Sequence, residues 1–194
     1  MMKSELKEVF EQHNGILTAK EAKLHGFSAE ALRKACLRGD VERSERGVYV
    51  LSVDFADDLF QLQQVFRRGI FSHQTAVMLH RLSTFSPFYY SMTFPHGYHS
   101  KSFEKRKVQP SFSTEKYYDV GVEEVETWFG NKVVAYNKER TIIDMLRSED
   151  MLYWEEEIMS NYLNDPDKNI TRLLDYARLF GQEEQLSEKG VFYA

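Results

Sequence analysis

Four glycines, Gly15, Gly26, Gly39 and Gly47, cut the first fifty residues into short pieces. A chain interrupted this often can form only short helices and tight turns, since glycine is costly inside a helix and favoured just past its end. Leu6, Val9 and Phe10 recur at spacings of three and four and give one short helix an apolar face. Asn14-Gly15 ends it. Thr18 opens a second helix, and Glu21 three residues on completes a capping box. Ala22 and Leu24 are its inward residues, and Gly26 closes it. Ser28 caps a third helix, buried through Ala31, Leu32, Ala35, Cys36 and Leu37 and closed by Gly39. Val41–Leu51 has apolar ends and a polar middle with Gly47, the pattern of a β-hairpin.

Three helices, the last two joined by only His25-Gly26-Phe27, followed by a hairpin, read as a winged helix-turn-helix. In that reading the third helix enters a DNA major groove. Its exposed positions are Ala29, Glu30, Arg33 and Lys34, with Arg38 at its end. Arginine can grip guanine in a bidentate fashion and lysine can neutralise phosphate. Arg43 and Arg46 on the hairpin would touch the backbone or minor groove. The alternative is a protein-docking scaffold whose basic residues form an ordinary solvated face. Glu30, Asp40, Glu42 and Glu45, which dilute the positive charge, favour it.

Charge divides the chain. Residues 1–51 hold nine lysines and arginines against eight acidic residues, and the rest hold 16 against 22. A boundary is expected near Ser52–Asp54, with domains at 1–52 and 53–194. A lone domain of net charge +1 should bind DNA weakly and lose affinity quickly with salt. Useful affinity would then require two copies on a two-part site. The single cysteine, Cys36, makes no internal disulfide and fits a reducing cytosol. The opening residues lack the apolar segment of a secretory signal, and no apolar run approaches the roughly 18 residues a membrane span needs.

The phrases Gly15-Ile16-Leu17-Thr18-Ala19-Lys20-Glu21-Ala22, Gly26-Phe27-Ser28, Leu32-Arg33-Lys34, Leu37-Arg38-Gly39-Asp40-Val41-Glu42-Arg43 and Arg46-Gly47-Val48-Tyr49 resemble the start of the AbiEi antitoxin family. Two later stretches extend the resemblance: Ser72-His73-Gln74-Thr75-Ala76 running on to Leu79-His80-Arg81-Leu82-Ser83, and Glu139-Arg140-Thr141-Ile142-Ile143-Asp144. It covers roughly residues 5–150. The resemblance implies a cytoplasmic antitoxin of a type IV toxin–antitoxin, abortive-infection system of phage defence. Such a protein binds inverted repeats upstream of its own operon and represses transcription. Its C-terminal part counteracts a nucleotidyltransferase-type toxin without requiring a stable complex. It implies a monomer or weak dimer paired on DNA, with no cofactor, metal or catalysis. Carried onto this chain, the DNA-facing residues are Thr18, Ser28, Arg33, Lys34, Arg38, Arg43 and Arg46. The alternation of arginine with glutamate on the third helix and hairpin departs from basic members of that family.

The remainder reads as an α+β body. Helices are expected at Ala56–Arg68, from Ser72 until Pro87, from Asn137 or Lys138 onward, at Met151–Leu163 and at Asn169–Phe180. Strands are expected at Gly69–Phe71, Tyr89–Phe94, Val108–Phe112 and Val120–Val125, then a hairpin across 126–136 around Gly130-Asn131. Gly181–Ala194 is expected to fray. His73 and His80 sit two helical turns apart, but His-x6-His matches no zinc motif, so one buried and one solvated imidazole is the favoured reading. His96 and His99 flank a loop as a weak phosphate or metal pair. Lys101-Ser102-Phe103-Glu104-Lys105-Arg106-Lys107 is the strongest basic cluster, read either as a nucleic-acid contact or as a solubilising loop. Arg140 and Asp144 are spaced for an ion pair within one helix. Glu155-Glu156-Glu157 reads as a solvated face, or as an acidic docking surface for a basic toxin. No glycine-rich phosphate loop, nucleophile elbow or nuclease carboxylate–lysine signature is present. A nucleic-acid-processing enzyme and a winged-helix protein-interaction module are the two rival readings.

Overall fold

The computed structural model describes residues 4–13, 15–51, 57–148 and 155–188. It forms two compact units, Met1–Arg67 with Thr127–Asn131, and Arg68–Glu126 with Lys132–Ala194. The boundary expected near Ser52–Asp54 lies outside the described residues.

In the first unit, α1 (Ser4–Gln12) turns Leu6 and Phe10 inward. A short strand, β1 (Ile16–Thr18), leads into α2 (Ala19–Leu24) and α3 (Ala29–Leu37). The hairpin is β2 (Val41–Glu45) and β3 (Val48–Leu51). β1 was invisible in the sequence because three residues carry no period. It pairs antiparallel with β3, so the sheet order is β1-β3-β2. Leu17, Val41, Tyr49 and Leu51 face the core built by Leu6, Phe10, Ala22, Leu32 and Ala35. Ile16, Val48 and Val50 point the other way and are covered by Phe60 and Val65 of α4 (Asp58–Val65). Covering that second face is why this unit continues beyond residue 52. Asp57 caps α4, its Oδ1 accepting from the Phe60 N–H at 3.1 Å. Its Oδ2 accepts from the Thr127 hydroxyl and from Asn131 Nδ2 at 2.9 Å. Leu24 and Leu37, expected inward, are 78% and 72% exposed. Each lies at the last residue of its helix, beyond the reach of the small core.

The second unit is a mixed five-stranded sheet of order β6-β5-β4-β8-β7, with most of its helices gathered into a packed cluster. Its strands are β4 (Ile70–Phe71), β5 (Tyr90–Pro95), β6 (Val108–Ser113), β7 (Val122–Glu126) and β8 (Lys132–Tyr136). β5 and β6 run parallel, as do β4 and β8; β4–β5 and β7–β8 are antiparallel. The helices are α5 (His73–Leu79), α6 (Glu115–Tyr118), α7 (Lys138–Leu146), α8 (Glu155–Asn164), α9 (Ile170–Phe180) and α10 (Glu183–Glu188). Three expectations change. The hairpin is formed by β7 and β8, and Thr127–Asn131 is its loop rather than strand, because the Thr127 hydroxyl and carbonyl are occupied by N–H groups within that loop. α5 ends at Leu79, well before Pro87, and Arg81 follows at φ 56°. Residues 183–188 are helical instead of frayed, since Leu186 is fully buried against the helical core. The expected starts at Ala56 and Met151 lie outside the described residues.

The phrase Glu139-Arg140-Thr141-x-x-Asp144 falls on α7 and is almost wholly buried. Asn137 caps the helix by accepting from the Arg140 N–H at 2.9 Å. Arg140 donates to Asp144 Oδ1 at 3.0 Å and to the carbonyls of Tyr117 and Val120, each at 2.8 Å. Its guanidinium lies between the rings of Tyr136 and Phe180, 4.1 and 4.3 Å from their centroids. Glu139 accepts from Tyr162 Oη at 3.1 Å, the Asn169 N–H at 3.0 Å and Arg172 Nη1 at 3.4 Å. Gly121, at φ +82°, passes so close that a Cβ there would meet Arg140 Cβ at 2.7 Å. Glycine alone fits that approach.

Two outcomes follow from this packing. Arg140→Ala leaves the buried Asp144 carboxylate with only the half-exposed Arg147, 3.7 Å away, as a counter-charge and should cost about 3 kcal/mol in urea unfolding. An unchanged midpoint would contradict the role given to the pair. His80, the buried imidazole of the two considered, bonds the Tyr136 carbonyl through Nε2 at 2.7 Å. Burial drives its pKa below the usual 6.5, outweighing that bond and the nearby Glu123. Its folded value lies below the unfolded one, so its contribution is full above pH 6.5 and is lost as pH falls through the folded value. Unfolding measured from about pH 8 to about pH 5 should show a stability loss that flattens in His80→Gln.

Candidate nucleic-acid interface

The surface read from the sequence is built by α3, the turn before it and the hairpin after it. Ser28 stands at the N-cap of α3 in an extended conformation, and its hydroxyl accepts from the Ala31 N–H at 3.2 Å. Gly26, at φ +82°, makes the turn between α2 and α3. Leu32 and Ala35 anchor the inner side of α3. Glu30, Arg33, Lys34 and Leu37 are exposed at helical spacings of three and four. Glu30, Lys34 and Arg38, one turn apart, also line a cavity of about 430 Å³ with Glu5, Leu6 and Phe27.

The arginines are not bare cations. Arg33 donates from Nε and Nη2 to the two carboxylate oxygens of Glu30, each at 2.8 Å. That fork pulls the Glu30 carboxyl below its ordinary pKa and raises that of Arg33. Arg38 bonds Asp40 through Nε at 2.7 Å. Lys34, Arg43 and Arg46 are exposed, Arg43 on β2 and Arg46 in the turn that Gly47 completes. Cys36 is partly buried on the inner side of α3, and burial pushes its thiol up, which suits a packed residue and not a nucleophile.

Thr18 differs from its expected place. It is only 6% exposed, and both its N–H and its hydroxyl donate to Glu21 Oε2, at 2.8 and 2.6 Å. The Glu21 N–H returns a bond to the Thr18 hydroxyl at 3.1 Å. Burial raises the Glu21 pKa, but the two donors of Thr18 more than offset it and hold the carboxyl low. Thr18 therefore fixes the start of α2 and has no hydroxyl left for a partner.

Elsewhere, His73 and His80 do not act together. His80 is buried, whereas His73 Nδ1 lies 3.0 Å from Ser72 Oγ. Ser72 holds the N-cap position of α5 without capping it, because its hydroxyl accepts from Thr93 Oγ1 at 2.9 Å. His96 and His99 are exposed in the loop after β5. Within the basic run, Phe103 packs on Phe94 and Lys107 Nζ sits 4.8 Å from the Phe88 ring, while Lys101 and Lys105 are exposed. Among the described residues no group of three or more potential metal ligands exists, and no helix is long and apolar enough to cross a membrane.

Residues 4–52 match the family described as a transcriptional regulator, AbiEi antitoxin, the family to which the opening phrases were likened. The crystal structure of RV2827C protein from Mycobacterium tuberculosis is similar in fold at 10% sequence identity and a TM-score of 0.57, over 93% of this chain and 78% of that one. No curated protein sequence matches the chain.

If Thr18 is a cap and not a contact, Thr18→Ala should lower unfolding stability by about 1 kcal/mol. Duplex affinity per folded molecule should stay unchanged. A selective loss of affinity at wild-type stability would return Thr18 to the binding surface.

Proposed function

We propose that this protein is an AbiEi-like antitoxin and transcriptional autorepressor. In this reading the first unit is a winged helix-turn-helix. α3 enters the major groove of an inverted-repeat operator, and the β2–β3 turn lies along the backbone. Ser28, Arg33, Lys34, Arg38, Arg43 and Arg46 make the contacts. The second unit counteracts a nucleotidyltransferase-type toxin and carries out no catalysis. The observation that carries this reading is the exposed stripe of α3, held outward by Leu32 and Ala35, inside the segment that matches the regulator family.

Electrostatics sets how such a surface would work. In the free protein Arg33 gives its Nε–Nη2 fork to Glu30, so a phosphate or guanine competes with that carboxylate for the same donors. Operator affinity should then be modest per protomer, steeply salt-dependent and strengthened by pairing on two half-sites. The exposed Leu24 and Leu37 favour one rival, a protein-docking module, because apolar side chains at helix ends suit a protein partner better than phosphates.

A gel shift with the DNA upstream of the protein's own reading frame separates these readings. Retardation at low salt is expected. Arg33→Ala should weaken it and reduce the salt slope by about one. Glu30→Gln should strengthen it about two- to fivefold by freeing the arginine. Absence of retardation, or retardation indifferent to both substitutions, would defeat the DNA reading. Capture of the neighbouring gene's product with Leu24 and Leu37 in the contact would favour docking instead.

A further inference from the structure

Two of the six histidines meet at a place the DNA reading does not use. His13 directly follows α1, and His25 is the C-cap of α2, the first residue of the turn into α3. Their Nε2 atoms lie 3.1 Å apart, with ring centroids at 5.2 Å and planes crossed at 81°. Twelve residues separate them along the chain, so no local spacing announces the pair. The backbone fixes both positions. The His13 N–H donates to the carbonyls of Val9 and Phe10, and its carbonyl accepts from the Ile16 N–H. The His25 N–H donates to the carbonyls of Glu21 and Lys23. His13 is half-buried and His25 is exposed, so the pair stands at the surface of the first unit.

Two imidazole nitrogens this close have two ways to be satisfied. With one proton between them they make an N–H···N bond; with none, two lone pairs converge and call for a cation. For zinc–nitrogen bonds of about 2.0–2.1 Å, a separation of 3.1 Å subtends about 100° at the ion, between the octahedral cis angle and the tetrahedral angle. An N–H···N bond at the surface gains little over water, whereas imidazole is a preferred ligand of zinc, nickel and copper. Glu21, one turn before His25 on α2, is close enough for its carboxylate and His13 to act on each other's charge. That carboxylate adds negative potential beside the pair.

We propose that His13 and His25 form a two-nitrogen site for a divalent transition-metal ion of the zinc class. Among the described residues no third protein ligand joins them, so water completes the coordination and the ion is exchangeable, unlike one in a closed structural site. The bound ion clamps the end of α1 to the turn between α2 and α3. The site is independent of operator binding.

Titration calorimetry of the full chain, without DNA, tests this with Zn²⁺, Ni²⁺, Cu²⁺ and Mg²⁺ as probes. At up to about 1 mM, Zn²⁺ should bind and Mg²⁺ should not, and Cu²⁺ should bind more tightly than Ni²⁺ or Zn²⁺. His13→Ala and His25→Ala should each weaken Zn²⁺ about tenfold or more, and the double substitution should add little, because either one already breaks the shared site. His13→Gln and His25→Gln, which keep a polar side chain, should give the same result. Both positions reach the surface, so circular dichroism should show the fold intact. Lowering the pH from about 7.5 to about 5.5 should weaken binding about tenfold or more, since protons compete for the same nitrogens. Replacing His96 and His99 together by alanine should leave the Zn²⁺ affinity unchanged. Absence of heat from Zn²⁺ would reduce the pair to a hydrogen bond and overturn the proposal, as would Zn²⁺ affinity indifferent to either histidine of the pair. Arg33→Ala should leave all these titrations unchanged, which separates failure here from failure of the DNA reading.

Discussion

The guanidinium of Arg140 is the point on which the second unit turns. It is stacked between Tyr136 at the end of β8 and Phe180 at the end of α9, bonded to two carbonyls around α6, and paired with Asp144 one turn along its own helix. Every one of these partners compensates part of the cost of keeping a charge out of water. The planar guanidinium can do this because it donates in its own plane and stacks on its faces, which an ammonium cannot. Glu139, next in sequence, faces the other way and collects donors from α8, α9 and the turn between them. Adjacent residues of opposite charge thus tie α7 to different neighbours, and the apolar Ile142, Ile143 and Met145 fill the space between.

The first unit depends on a different constraint, the burial of both faces of a three-stranded sheet. The run Val48-Tyr49-Val50-Leu51 has no polar residue to turn toward water. One face therefore packs on three helices and the other on α4. With the sheet occupied on both sides, the outer stripe of α3 and the turn at Arg46-Gly47 stay exposed to solvent. The ion pairs on that stripe matter more than its net charge. A forked Glu30–Arg33 pair matches one arginine of that stripe with a carboxylate of its own helix.

Much of the local structure was written in short-range chemistry. The Thr18–Glu21 capping box, the Ser28 cap, the α2–α3 turn at Gly26 and the Arg140–Asp144 spacing all depend on residues a few positions apart. Each could be read because its geometry follows from the backbone of one helix or turn. Leu24 and Leu37 misled because apolar character at a helix end says nothing about whether a neighbour arrives to cover it. Thr18 misled in the opposite sense: a residue satisfied within its own capping box is withdrawn from the surface.

The sequence by itself determined the helix–helix–hairpin order of the first fifty residues, the caps at which most helices start, and the charge asymmetry between the two parts. Tertiary structure alone decided that β1 joins β3, that α4 closes the second face of that sheet, that Leu186 anchors a helix in a stretch expected to fray, and that His73 and Ser111 line one cavity with Arg147. The division has a physical cause. Caps, turns and helical ion pairs are contacts between residues already held close by covalent connection. Strand pairing, face coverage and cavities join residues distant along the chain, whose meeting is fixed by the burial of the whole core and not by any local pattern.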